Sequence, residues 1–130
     1  QLPPAHAVPI VGEIACGMPI TAEENQIGLV NIPESIKADF CLICKGESMV
    51  GARIFDGDLV CIRQQETVEN GEIAAVLIDD EATLKRVYFF PGHYLELRAE
   101  NPKFAPLIYE GESMRTVRIL GKAIYFISKI

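Results

Sequence analysis

One serine and one lysine in this chain have the surroundings needed to act together on a peptide bond. Ser48 lies in Gly46-Glu47-Ser48-Met49, ahead of an Asp-Gly-Asp turn at 56–58 and an apolar segment. A serine hydroxyl is a poor nucleophile until a base within hydrogen-bond distance accepts its proton. Lys85 can be that base if burial lowers the pKa of its amine. The pair predicts peptide hydrolysis by a serine–lysine dyad.

A third segment has the small residues that leave a peptide bond open to attack. Ala15, Cys16 and Gly17 are small residues that leave the backbone unhindered, and they follow a strand-like stretch. A nucleophile, a base and a target in one short chain suggest a protein that cuts itself.

The argument for Lys85 depends on which way its side chain faces. In a strand, Lys85 shares a face with Thr83, Val87 and Phe89, which is an unfavourable place for a charge. The alternative is an ordinary solvent-facing lysine, since the opposite face is also partly apolar. Alternation alone leaves both interpretations open.

The serine motif occurs twice. Gly111 to Met114 repeats Gly46 to Met49, but no Asp-Gly-Asp turn and strongly apolar strand follow the second copy. We therefore expect Ser113 to lie in a late loop as an ordinary turn residue.

Short apolar segments between turn signals predict a mostly β fold with compact antiparallel strands and at most one or two short helical turns. Glu34 to Asp39 can form one such turn behind Pro33. The predicted strands are Val8–Ala15, Phe40–Cys44, Asp58–Ile62, Glu72–Ile78, Thr83–Phe90, Tyr94–Arg98, Thr116–Ile119 and Lys122–Ile127. We expect a linker over residues 1–7 and one domain over residues 8–130.

Composition restricts the classes of partner. The chain has 130 residues and a net charge of -6, with no cluster of Lys and Arg that could hold DNA phosphates. Any contact with DNA is then expected through another domain, and a sequence that begins at Gln1 rather than Met suggests one before it. No apolar run is long enough to cross a bilayer, and no secretory signal is present, so we expect a cytoplasmic protein with no membrane partner.

Two of the four cysteines form a C-x-x-C pattern, Cys41 to Cys44. Zinc would need a second pair or suitably placed histidines, and only His6 and His93 exist. Residues three apart in a strand point to opposite faces. We therefore favour packing over a metal site or a disulfide, and expect no metal and no cofactor.

Four motifs in order resemble the LexA-like self-cleaving family (peptidase S24), which includes SOS repressors, lambda-type phage repressors and UmuD-like polymerase subunits. They are Val11 to Gly17, Gly46 to Met49, Asp56 to Val60 and Thr83 to Arg86, and the resemblance extends from about Val8 to Ile130. The separation of Ser48 and Lys85 is also similar. The usual cut in that family is Ala-Gly, and Cys-Gly is a mild departure.

The resemblance implies a carboxy-terminal domain of the β-clip type, in which Ser48 is the nucleophile, Lys85 the general base and Cys16-Gly17 the bond that is cut. Backbone amides of Glu47 and Ser48 are the expected oxyanion donors. It also implies a homodimer formed through strands around 117–127. A RecA–DNA filament would favour the docked state of the cleavage segment, as part of the DNA-damage (SOS) response.

Other interpretations remain. A UmuD-like polymerase accessory subunit would use the same cleavage to expose an interaction surface. A signal peptidase also uses serine and lysine, but this chain has no membrane anchor and carries its own cleavage motif. A purely structural β domain with coincidental motifs is the last alternative.

Overall fold

Nine strands form one sheet in the residues that the computed structural model describes, which are 3–12, 26–79 and 81–130. Neighbouring strands are antiparallel except β1 and β3, which are parallel. The strands are β1 (Ala5–Val11), β2 (Gln26–Pro33), β3 (Phe40–Ile43), β4 (Leu59–Gln64), β5 (Ile73–Ile78), β6 (Glu81–Phe90), β7 (Tyr94–Arg98), β8 (Leu107–Tyr109) and β9 (Val117–Ile127). Their order across the sheet is β2-β1-β3-β4-β9-β5-β6-β7-β8.

The predicted mostly β fold is confirmed, and the helices of the described residues are 3₁₀ turns at Val50–Ala52 and Gly111–Thr116. Glu34 to Asp39 is a hydrogen-bonded turn and not the helical turn that we predicted, because the Ile36 amide bonds to Pro33 and the pattern does not repeat.

The strand predictions differ from the structure in four places. β2 was not among the predicted strands. β1 begins at Ala5, inside the predicted linker, because its backbone pairs with β2 as far as Pro33. β8 falls where we expected only a loop, since three residues at a sheet edge give little pattern to detect. The two predicted carboxy-terminal strands are one continuous β9, in which Gly121 is paired with Ala75 and a register shift leaves Leu120 without a partner on β5.

The sheet curls around its main core. β3 and β6 are four strand spacings apart, which is about 19 Å in a flat sheet. Buried side chains from both nevertheless belong to one apolar cluster, which includes Val11, Phe40, Leu42, Val60, Ile62, Leu77, Leu84 and Leu120. This curl brings the loop after β3 against β6.

Candidate active site

Ser48 lies in a turn that leaves β3, and short hydrogen bonds fix that turn. Gly46 has φ of +85°, a conformation that L side chains rarely adopt, so glycine is needed there. Its amide donates to Asp56 Oδ1 at 2.7 Å, and the Gly57 amide donates to the Cys44 carbonyl oxygen at 2.8 Å. The Asp-Gly-Asp turn therefore closes the loop that presents the serine.

Asp58 supports the same loop from the buried side. One carboxylate oxygen accepts the Phe55 amide at 2.8 Å, and the other accepts the Ser128 hydroxyl at 2.7 Å. Asp56 and Asp58 thus act as turn formers, as the sequence indicated.

Lys85 lies in the middle of β6, and its side chain is half-buried and directed toward Ser48. Its Nζ is 3.4 Å from Ser48 Oγ, 3.0 Å from Thr83 Oγ1 and 3.2 Å from the Leu84 carbonyl oxygen. The structure therefore brings the two predicted residues together, on the face that Lys85 was predicted to share with Thr83.

Burial lowers the pKa of Lys85, because removing the amine from water disfavours its charged form. A thiolate at Cys44 would oppose this shift by favouring the ammonium. Burial and the nearby carboxylates of Asp58 and Asp56 raise the pKa of the Cys44 thiol, however. The raised pKa of the thiol works against formation of that thiolate.

The contacts of the amine suit a proton acceptor. A neutral amine has two N–H donors and one lone pair. Thr83 Oγ1 and the Leu84 carbonyl oxygen can accept the two N–H groups. The lone pair is then left for the Ser48 hydroxyl, which can donate to it. A distance of 3.4 Å is long for this bond, as is common before substrate binds.

The predicted oxyanion donors also lie in this turn. Among hydrogen bonds between described residues, none is donated by the backbone amides of Glu47 or Ser48. Neither N–H group is therefore occupied by another of the described residues.

A groove with a volume of about 770 Å³ runs past Ser48. Its walls combine apolar and polar groups and come from β3, β6, the ends of β1 and β5, and Ile27 of β2. Gly12, the last described residue before the predicted cleavage segment, lines this groove. Ala15, Cys16 and Gly17 lie outside the described residues.

The second serine of the repeated motif has a different environment. Ser113 lies in the 3₁₀ turn Gly111–Thr116 and is exposed. Its hydroxyl donates to the Glu110 carbonyl oxygen at 2.6 Å and accepts the Glu110 amide at 2.8 Å. These local bonds are those of a turn residue.

The cysteines of the C-x-x-C pattern diverge, as predicted. Both are buried, Cys44 in the main core and Cys41 in a separate cluster with Val8, Ile32 and Cys61. Cys41 and Cys61 are direct cross-strand partners with sulfur atoms 3.0 Å apart, and both are free thiols.

Sequence reasoning missed two contributors to the site. Thr83 was placed on the face of Lys85 but given no role, although its position two residues earlier in the strand was a usable signal. Asn101 had no signal at all, because it reaches Glu47 across 54 residues of sequence.

The sequence of this chain is similar to those of known proteins over most of its length. The family described as Peptidase S24-like matches residues 9–124. A LexA repressor of Magnetococcus marinus is 43% identical over 119 residues, covering 90% of this chain and 50% of the relative. That of Halalkalibacterium halodurans is 43% identical over 124 residues, covering 92% and 57%. That of Bacillus cytotoxicus is 44% identical over 122 residues, covering 90% and 56%.

The chain spans about half the length of the curated relatives it matches. Within the described residues, no helix combines the length and apolar character needed to cross a bilayer.

Proposed function

The chain belongs to the Peptidase S24-like family, and we propose that it cuts its own backbone between Cys16 and Gly17 with Ser48 as nucleophile and Lys85 as general base. The contact between Lys85 Nζ and Ser48 Oγ carries this proposal. Two residues far apart in sequence meet in a half-buried site, and the amine has its pKa lowered by burial.

The chemistry follows from these groups. The neutral amine of Lys85 accepts the Ser48 proton as Oγ attacks the Cys16 carbonyl carbon. The tetrahedral oxyanion is stabilised by the amides of Glu47 and Ser48. The intermediate then collapses, the C–N bond breaks, and the ammonium of Lys85 returns the proton to the departing Gly17 amine. Water, deprotonated by Lys85, hydrolyses the Ser48 ester and regenerates both groups.

The tether supports an intramolecular reaction. Cys16 follows Gly12, which lines the groove, by only a few residues. A short extended segment of that kind spans about 13 Å, enough to cross a groove of this size. Intramolecular placement can supply about 7–11 kcal/mol of the barrier to such a reaction.

We further propose that this chain is the carboxy-terminal domain of a LexA-like repressor, in which the linker ends before β1 begins at Ala5. The relatives named above are LexA repressors that extend beyond this chain, which favours a repressor over a polymerase accessory subunit. In this proposal the domain forms a homodimer and DNA is bound only by a separate amino-terminal domain. A RecA–DNA filament is the partner that favours the docked cleavage segment. Cleavage then relieves repression in response to DNA damage, in the cytoplasm.

Mass spectrometry of the protein incubated at alkaline pH tests the cleavage. Fragments ending at Cys16 and beginning at Gly17 are expected, and Ser48→Ala and Lys85→Ala should each abolish them. Ser113→Ala is the matched control, because it removes the same hydroxyl from the second copy of the motif. Unchanged cleavage in the Ser48 or Lys85 variant would remove the dyad from consideration.

A further inference from the structure

The turn that carries Ser48 is held by a segment distant in sequence, the loop after β7. The Glu100 amide donates to the Ser48 carbonyl oxygen at 2.8 Å, and the Gly51 amide donates to the Glu100 carbonyl oxygen at 2.8 Å. Asn101 Nδ2 donates to the Glu47 carbonyl oxygen, also at 2.8 Å. The loop thus binds the carbonyl groups of both Ser48 and the residue before it.

The approach of the two backbones is close enough to require glycine. A Cβ at position 51 would stand 2.7 Å from the Glu100 carbonyl oxygen, a backbone atom that cannot move aside easily. The loop and the turn are therefore packed directly against each other, with no side chain between them.

The loop is in turn joined to the strand that carries the lysine. Glu100 forms an ion pair with Arg86, the residue after Lys85. Arg86 also donates to the Gly71 carbonyl oxygen at 2.6 Å. Strand alternation puts Lys85 and Arg86 on opposite faces of β6. One face therefore carries the amine, and the other carries the guanidinium that pairs with Glu100 and so supports the turn of Ser48.

The bond from Asn101 has a specific geometric consequence. The Glu47 carbonyl and the Ser48 N–H belong to the same planar trans peptide, so the two groups point in opposite directions. Fixing the carbonyl oxygen therefore fixes the direction of the Ser48 N–H. That N–H is one of the two proposed oxyanion donors.

We propose that Asn101 is a positioning residue that aims the Ser48 N–H at the oxyanion, through its hydrogen bond to the Glu47 carbonyl oxygen. The inference rests on the self-cleavage proposed above. The direction of this N–H affects the cleavage rate strongly, since a displacement of about 1 Å in a reacting site can reduce a rate by about 100-fold.

Two substitutions separate the roles of the amide. Asn101→Ala removes the whole group, whereas Asn101→Asp keeps the oxygen that accepts the Lys103 amide at 3.0 Å and replaces the donor to Glu47 by a negatively charged oxygen, which cannot donate. Asn70→Ala is the matched control. Asn70 also holds backbone with its amide, accepting the Phe89 N–H at 2.7 Å and donating to the Phe89 carbonyl oxygen at 3.2 Å.

The first readout is the first-order cleavage rate as a function of pH. Both Asn101 variants should lower the high-pH plateau by about 10- to 100-fold, because removing one oxyanion donor outright costs about 100- to 1000-fold. In Asn101→Ala, which adds no charge, the midpoint of the profile should stay in place, since Asn101 does not touch Lys85. An unchanged plateau in either variant, a moved midpoint in Asn101→Ala, or an equal loss in Asn70→Ala would overturn the inference.

A second readout does not depend on cleavage. The amide NMR signal of Ser48 should shift in both Asn101 variants and stay in place in Asn70→Ala. If the unaltered protein does not cleave, the proposed function fails, and this signal alone decides whether Asn101 orients the peptide. A Ser48 signal that does not move in the Asn101 variants overturns the inference even if the unaltered protein cleaves.

Discussion

Replacing Thr83 by valine tests how the amine of Lys85 is oriented. The substitution removes the hydroxyl oxygen 3.0 Å from Lys85 Nζ and leaves a side chain of similar size that suits a strand. Without that acceptor, the amine can rotate its lone pair away from Ser48. The self-cleavage rate should therefore fall at pH values at which Lys85 is fully neutral.

The size of the effect follows from one hydrogen bond. A net contribution of about 0.5–1.5 kcal/mol corresponds to a roughly 2- to 12-fold lower plateau rate. The hydroxyl oxygen also stabilises the ammonium more than the amine, because hydrogen bonds to charged groups are stronger. Its loss should lower the pKa of Lys85 further and move the midpoint of the pH–rate profile to lower pH.

The assay is intact-mass analysis of the fragments over time, from mildly acidic to strongly alkaline pH. Thr116→Val is the matched control, since it removes a hydroxyl whose one hydrogen bond to a described residue is to the Ser113 carbonyl oxygen at 2.7 Å. That variant should cleave like the unaltered protein. A Thr83→Val protein with an unchanged plateau, or with its midpoint moved to higher pH, would refute this account of the site.

Three other predictions concern stability and redox chemistry. The pKa of Lys85 is lower in the folded than in the unfolded chain, so protonation of this amine favours unfolding. The destabilisation is complete below the folded-state pKa, and it decreases as pH rises toward the unfolded-state pKa. On a cleavage-defective background, Lys85→Met should therefore raise the free energy of unfolding in urea, most at low pH; a gain that grows with pH would contradict this. Gly46→Ala should lower that free energy by about 1–2 kcal/mol because of its positive φ, and an unchanged value would argue against the turn described. Diamide should accept two hydrogen atoms from the Cys41 and Cys61 thiols, which leaves a cross-strand disulfide that peptide mapping detects. Recovery of both residues as thiols, or a disulfide that involves Cys44, would be inconsistent with the contact between the Cys41 and Cys61 sulfur atoms.

Local patterns in the sequence were sufficient for most of the strands, and they made Ser48 and Lys85 a candidate pair. Turn signals such as Asp56-Gly57 and Pro91-Gly92 separate segments with strand periodicity, so the mostly β fold could be predicted. Alternation with period two is a local property of a strand. It correctly predicted that Thr83 and Lys85 share a face of their strand, and that Cys41 and Cys44 point to opposite faces and so pack in different apolar clusters.

Only the tertiary structure decided that Ser48 and Lys85 meet. Their distance depends on how far the sheet curls between β3 and β6, and curvature is a collective result of packing that no single segment encodes. The same holds for the contacts of Asn101 with Glu47 and of Glu100 with Ser48. A loop between two strands carries no local pattern that names its partner, so its role became visible only when distant parts of the chain were packed together.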